Sequence, residues 1–128
     1  MSVNLILVPI IKEKHWTLLV GNKSKKLWQS FDSLPKATHK AILPKVISHL
    51  YEETKNIFND DLMKWPIKLI TNVPTQDNSV DCGLFVCKYM ETVIQHESVQ
   101  WDVHKNWQSS MTLFKAEFAY ALLCTNIH

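Results

Sequence analysis

The stretch Pro74-Thr75-Gln76-Asp77-Asn78-Ser79-Val80-Asp81-Cys82-Gly83-Leu84-Phe85-Val86-Cys87-Lys88-Tyr89-Met90 changes character half-way along. Its first part is a succession of turn-forming polar residues with little to bury, which reads as a loop. Its second part sets Phe85, Val86, Tyr89, Met90, Val93 and Ile94 on one apolar face at helical period. Cys82 stands at the junction, and Asp81 or Ser79 is placed to cap the helix, so the thiol falls in or beside the first turn. Unpaired amides and the helix dipole there favour a thiolate, the form of cysteine that acts as a nucleophile. The expectation is that Cys82 attacks a carbonyl and that the rest of the chain supplies what the attack requires.

Working back toward the N-terminus, Ile67 to Ile70 reads as a strand leading into this loop. Before it, a helix is expected from Thr38 or Pro44 to Lys55, with Val46, Ile47, Leu50 and Tyr51 as its buried stripe and Pro44 confined to its first turn. Leu27 to Phe31 is a strand ended by Asp32-Ser33, since Pro35 forbids its continuation. Trp16 to Val20 is another, joined to it by a hairpin loop over Gly21 to Lys25. Val3 to Ile11 is a nearly continuous apolar run of the kind buried on both faces of a sheet. On the C-terminal side, Glu97 to Ser110 is ambiguous, and Met111 to Cys124 reads as a helix carrying Phe114, Phe118, Ala121 and Leu122 on one side. The 128 residues suit one α+β domain, with no repeat and no linker.

Composition narrows the function. A net charge of +2 is too small to imply a nucleic-acid partner, and every basic residue is Lys, which removes bidentate reading by Arg. The three cysteines are an odd number without a Cys-x-x-Cys pair, which points to free thiols in a reducing compartment. The apolar run at the N-terminus is short, interrupted by Pro9 and without a basic leader, so it is not read as a signal peptide. No run approaches membrane-spanning length.

A cysteine nucleophile needs a base within hydrogen-bond reach, a group to orient that base, and donors for the oxyanion. His15 stands where a polar turn, Lys12-Glu13-Lys14, meets a strand. Asp32 stands at the far end of the adjoining hairpin strand. In an antiparallel pair the start of one strand lies beside the end of the next, so His15 and Asp32 should be neighbours at one sheet edge. Gln76 could turn its amide toward the site, with the Cys82 backbone N–H as a second donor.

His15-Trp16, Asp32-Ser33-Leu34, Pro74-Thr75-Gln76 and Asp81-Cys82-Gly83, in that order, resemble the ubiquitin-like-protein-specific proteases of the Ulp1/SENP type, the SUMO proteases. The resemblance covers nearly the whole chain. It implies a papain-like cysteine proteinase fold in permuted order, with a central, mostly antiparallel sheet flanked by helices, over one catalytic domain at residues 1–128. It implies a thiol peptidase cleaving after the C-terminal Gly-Gly of a ubiquitin-like modifier, SUMO above all, in precursor processing or deconjugation. Cys82 would be the nucleophile, His15 the general base and then acid, Asp32 the residue that holds the imidazole, and Gln76 an oxyanion donor. Trp16 would help cover a narrow tunnel for the modifier's tail, and a side chain at Gly83 could crowd that tail, although a tight helix start explains the glycine equally well. The implied partners are the modifier and its conjugates, in the nucleus or cytoplasm. The expected protein is a monomer with no cofactor, no metal, no nucleic acid and no membrane.

The sequence departs from that family at its start. Those proteases carry helices and a further tryptophan-bearing segment before the first strand, whereas His15 lies close to the first residue here. The expectation is therefore an N-terminally shortened catalytic region. Other readings stay open: a deneddylase, a deubiquitinase or a viral-type protease of the same fold, or a non-catalytic remnant that docks a modifier. Plainer roles also compete at single positions. Cys87 and Cys124, on apolar helical faces, read as small buried hydrophobes. Asp77 and Asp81 read as turn or cap residues, and Trp28, Trp65, Trp101 and Trp107 as packing or docking surface. His39, His49, His96 and His104 show no zinc spacing with cysteine.

Overall fold

The computed structural model describes residues 4–58, 60–77, 81–95, 101, 107–111 and 113–117. Three strands come first: β1 (Leu5–Lys12), β2 (His15–Asn22) and β3 (Leu27–Phe31). Two helices follow, α1 (Ala37–Ala41) and α2 (Leu43–Thr54), where the sequence suggests one. A 3-10 turn at Leu62–Lys64 leads to β4 (Ile67–Leu69), and α3 (Cys82–Gln95) follows the polar loop. A second 3-10 turn, Gln108–Ser110, runs into residues 111 and 113–117, which are helical. The expected continuation of that helix through Phe118, Ala121, Leu122 and Cys124 lies outside the described residues.

The sheet order is β1-β2-β3-β4. The first two pairings are antiparallel and β3–β4 is parallel. A parallel pair needs a long crossover, which α1 and α2 provide. The β1–β2 turn is two residues long, Lys12 pairing with His15. Glu13 and Lys14 take φ of 53° and 65°, the left-handed conformation at both central positions that matches the twist of the strands it joins. Two ordinary side chains hold it at some conformational cost.

Period-two alternation along β2 divides the core. Leu18 and Val20 face one side, with Phe31, Phe85, Val86, Tyr89, Trp101, Trp107 and Met111. Leu19 faces the other, with Ile10, Trp28, Leu43, Ile47, Leu62 and Trp65. The sheet is thus covered by α3 on one face and α2 on the other. All four tryptophans expected to pack or dock are buried. Trp28 is 0% exposed, donates its Nε1–H to the Leu62 carbonyl at 2.8 Å, and lies opposite Gly21 in the register. A methyl added at Gly21 would sit 2.7 Å from the Trp28 ring, so only glycine fits between the strands there.

Two expectations are corrected. β1 is not buried on both faces. It is the edge of the sheet, with Pro9 and Ile11 exposed, because among the described residues no strand pairs on its outer side. An edge is also where the missing N–H of Pro9 is tolerated. Cys87 is exposed rather than buried, and Ile94 with it, because the buried stripe of α3 runs through Phe85, Val86, Tyr89 and Thr92 and leaves both outside it.

Candidate active site

Leu18 pairs with Phe31, so Asp32 follows directly at the end of β3, beside the first residues of β2. There His15 Nε2 lies 2.7 Å from Asp32 Oδ1. The Leu34 amide donates to the same oxygen at 2.9 Å, closing a turn that fixes the carboxylate on its own backbone. The other carboxylate oxygen meets His39 Nδ1 at 2.5 Å. The two imidazoles stack, ring centroids 4.4 Å apart and planes 15° from parallel. All three side chains are largely shielded, between 9% and 13% exposed. One carboxylate therefore serves two histidines in a place where water competes poorly for it.

Gln76 is tied to the same corner. Its backbone N–H donates to the Ser33 carbonyl at 2.8 Å, and the Ser33 hydroxyl donates to its Oε1. The oxygen of the amide accepts that proton, and the nitrogen can act only as a donor. Two residues earlier, the Pro74 carbonyl accepts a hydrogen bond from the Tyr89 hydroxyl, which anchors the loop to α3. Burial, with the negative charge of Asp32 adding to it, pushes the Tyr89 phenol well above its ordinary pKa.

Cys82 is the first residue of α3 and is 4% exposed. The carbonyl of Asp81 accepts the Phe85 N–H at 3.0 Å and so opens the helix. The carboxylate of Asp81 is bonded to distant residues, Gln108 Nε2 at 2.9 Å and Lys115 Nζ at 2.9 Å. The alternative cap, Ser79, lies outside the described residues. α3 packs across β2, and a methyl added at Gly83 would lie 3.6 Å from Trp16 Cδ1. Trp16, 38% exposed, thus leans over the helix start next to Cys82 while its chain neighbour His15 reaches Asp32. Among the described residues no hydrogen bond joins the Cys82 thiol to either imidazole.

His15, Asp32 and His39 bring three potential metal-ligating atoms within 4.8 Å of one another. Ligands around a tetrahedral zinc, each about 2.1 Å from the ion, stand roughly 3.4 Å apart. The separations here, 2.7 and 2.5 Å, are those of shared protons. The trio is a hydrogen-bonded relay in form.

The profile of the Ulp1 protease family, C-terminal catalytic domain, matches residues 1–127. The chain belongs to the Ulp1 protease family. Sentrin-specific protease 2 of Homo sapiens is 30% identical over 123 residues, which cover 93% of this chain and 20% of that protein. The chain thus spans about one fifth of the length of that relative. Among solved structures, a SUMO protease Ulp1 with its catalytic cysteine oxidised to a sulfenic acid is similar at 31% identity and a TM-score of 0.53, over 68% of this chain and 40% of that one. The C-terminal Ulp1 protease domain in complex with Smt3, the yeast orthologue of SUMO, is similar at 31% identity and a TM-score of 0.50, over 66% of this chain and 38% of that one. The α+β architecture of this Ulp1-family chain, a mostly antiparallel four-stranded sheet between helices, agrees with those domains.

Three contributors escaped sequence reasoning. His39 reads in the sequence as one of several scattered histidines, although its place in the helix just after the Asp32 turn hints at a return to that corner. Ser33 reads as a strand end, yet its backbone and hydroxyl both hold Gln76. Gln108 lies in a stretch whose structure was ambiguous, and only the flanking apolar Trp107 and Met111 signal that it sits against the core.

Proposed function

We propose that the chain is a cysteine-type peptidase and isopeptidase that cleaves after the C-terminal Gly-Gly of a ubiquitin-like modifier, SUMO in the first instance. The observation that carries the reading is the 2.7 Å contact of His15 with Asp32, made where β2 begins and β3 ends, beside Trp16, whose Cδ1 would lie 3.6 Å from a methyl added at Gly83 in the first turn of α3. Family membership and the similar Ulp1 domain bound to Smt3 support the substrate class.

In this mechanism the Cys82 sulfur attacks the carbonyl of the modifier's last glycine. His15 engages Asp32 through Nε2, so Nδ1 is the nitrogen that takes the thiol proton and then delivers it to the departing amine. Asp32, fixed by the Leu34 amide and by His39, holds the His15 ring and stabilises its positive charge. The Gln76 amide nitrogen and the Cys82 backbone N–H donate to the oxyanion as it develops. Water then hydrolyses the thioester, with His15 as base. Trp16 and Gly83 bound the passage for the two glycines. In this scheme the thiol and the imidazole close on each other when substrate enters, as catalytic groups in unliganded sites often do. On this reading the chain works as a single catalytic domain and a monomer, on conjugates in the nucleus or cytoplasm. No helix among the described residues is long and apolar enough to cross a membrane.

A second reading, a chain that binds a modifier without cleaving it, is favoured by one observation: Cys82 is 4% exposed and is not hydrogen-bonded to His15. SUMO carrying a C-terminal electrophile separates the two. Covalent labelling that vanishes in Cys82→Ser supports the peptidase. Binding without labelling supports the docking chain. Labelling by ubiquitin or another modifier in place of SUMO redirects the substrate assignment.

A further inference from the structure

Gln108 comes near the site from a segment with no catalytic role in the scheme above. Its neighbours Trp107 and Met111 are 6% and 3% exposed, buried in the aromatic cluster with Phe85 and Tyr89, so the backbone that carries it is fixed to the same core as α3. Its side-chain amide makes two bonds in opposite senses. Oε1 accepts the backbone N–H of Asp77 at 2.7 Å, and Nε2 donates to Asp81 Oδ2 at 2.9 Å. Asp77 directly follows Gln76, and Asp81 directly precedes Cys82. Lys115, from the helical residues that follow, completes the grip at Asp81 Oδ1. Asp81 is 4% exposed, a buried carboxylate for which a cation and a charge-assisted donor offset the loss of water.

We propose that Gln108 is a positioning residue, a staple that sets the distance between the oxyanion donor Gln76 and the nucleophile Cys82. The inference rests on the function proposed above for those two residues and adds the element that holds them in relation. Only a primary amide suits this position among side chains of its length, because one partner is a donor and the other an acceptor. Leucine offers neither bond, and glutamate offers the acceptor while placing a second negative charge against Asp81. Misplacement of reacting groups by even about 1 Å costs up to two orders of magnitude in rate, so the effect belongs in kcat rather than KM.

The test measures turnover of SUMO aminomethylcoumarin amide by the full chain and by Gln108→Leu, each with Gln76 intact and as Gln76→Ala. Gln108→Leu is expected to lower kcat about tenfold or more with KM within about twofold. In the Gln76→Ala background the same change should cost no more than about threefold, because coupled residues are not additive. Full multiplication of the two losses overturns the staple and leaves Gln108 as ordinary packing. Amide exchange at Asp77, read without substrate, should quicken about tenfold or more in Gln108→Leu, and unchanged exchange overturns the proposal whatever the kinetics. If Gln108→Leu does not fold, Gln108→Glu replaces it: its turnover relative to the parent chain should recover as pH falls and the new carboxyl gains a proton to give Asp81. A ratio flat with pH counts against the staple. A parent chain that turns over no SUMO defeats the proposed function, while the exchange measurement still decides the staple.

Discussion

Replacing Gly83 by alanine should make the protein more stable and less active at once. The added methyl would stand 3.6 Å from Trp16 Cδ1, an ordinary van der Waals contact, so nothing has to move. Gly83 lies in the first turn of α3 with φ on the usual side, so alanine meets no backbone strain. Alanine exceeds glycine by about 0.5–1 kcal/mol within helices, and the lower figure suits a first turn. For a chain of this size, about 0.5 kcal/mol raises Tm by roughly 2 °C. The same methyl occupies the space between Trp16 and the helix start through which the proposed substrate tail runs. Glycine residues in that tail leave no side chain to yield, so kcat/KM should fall about tenfold or more, mostly through KM. Calorimetry and turnover of SUMO aminomethylcoumarin amide read the two effects separately. A Tm lower by several degrees would refute the packing at Trp16. A higher Tm with unaltered kcat/KM would refute the passage.

The other glycine should behave in the opposite way: Gly21→Ala brings a methyl to 2.7 Å from the Trp28 ring, which its bond to Leu62 keeps from yielding, and overpacking of this kind costs about 1–3 kcal/mol in a denaturant melt. His39→Ala removes one of three donors to the shielded Asp32 carboxylate; it should cost about 1.5–3 kcal/mol of stability and lower turnover less than Asp32→Asn, which also disturbs His15. Tyr89 sets an alkaline limit. Its folded pKa is raised, by burial first and by Asp32 second, above the unfolded value of about 10. Its contribution is therefore whole below that pH and is lost as pH rises above it, by about 1.4 kcal/mol per unit. Tyr89→Phe should flatten that decline in urea melts above pH 10, while costing about 1 kcal/mol at neutral pH through the unpaired Pro74 carbonyl.

What could be read from the sequence was what depends on short separations. The alternation of β2, the stripe of α2 and the turn signals around Asp32 are local patterns, and antiparallel pairing converts them into the meeting of His15 with Asp32. Cys82 at the junction of loop and helix is legible for the same reason. The edge position of β1 was not, because an apolar run says how much surface can be buried and not whether a neighbouring strand exists. The two bonds of Gln108 span 31 and 27 residues, and no periodicity links a polar side chain to partners so far along the chain. Asp81 shows the same limit from the other side. Beside a helix start it reads as a local cap, whereas two residues from the C-terminal segment fill its carboxylate.

The Lys23–Lys26 loop, which sets β2 against β3, acts as a counting device for the corner at their far end. Side chains along a strand point up and down by turns, so parity decides where the imidazole goes. A slip of one residue between β2 and β3 would turn it to the opposite side of the sheet from Asp32, while a slip of two would restore its direction at a changed height. Natural variation in the Lys23–Lys26 loop should therefore leave the pairing of Leu18 with Phe31 in place.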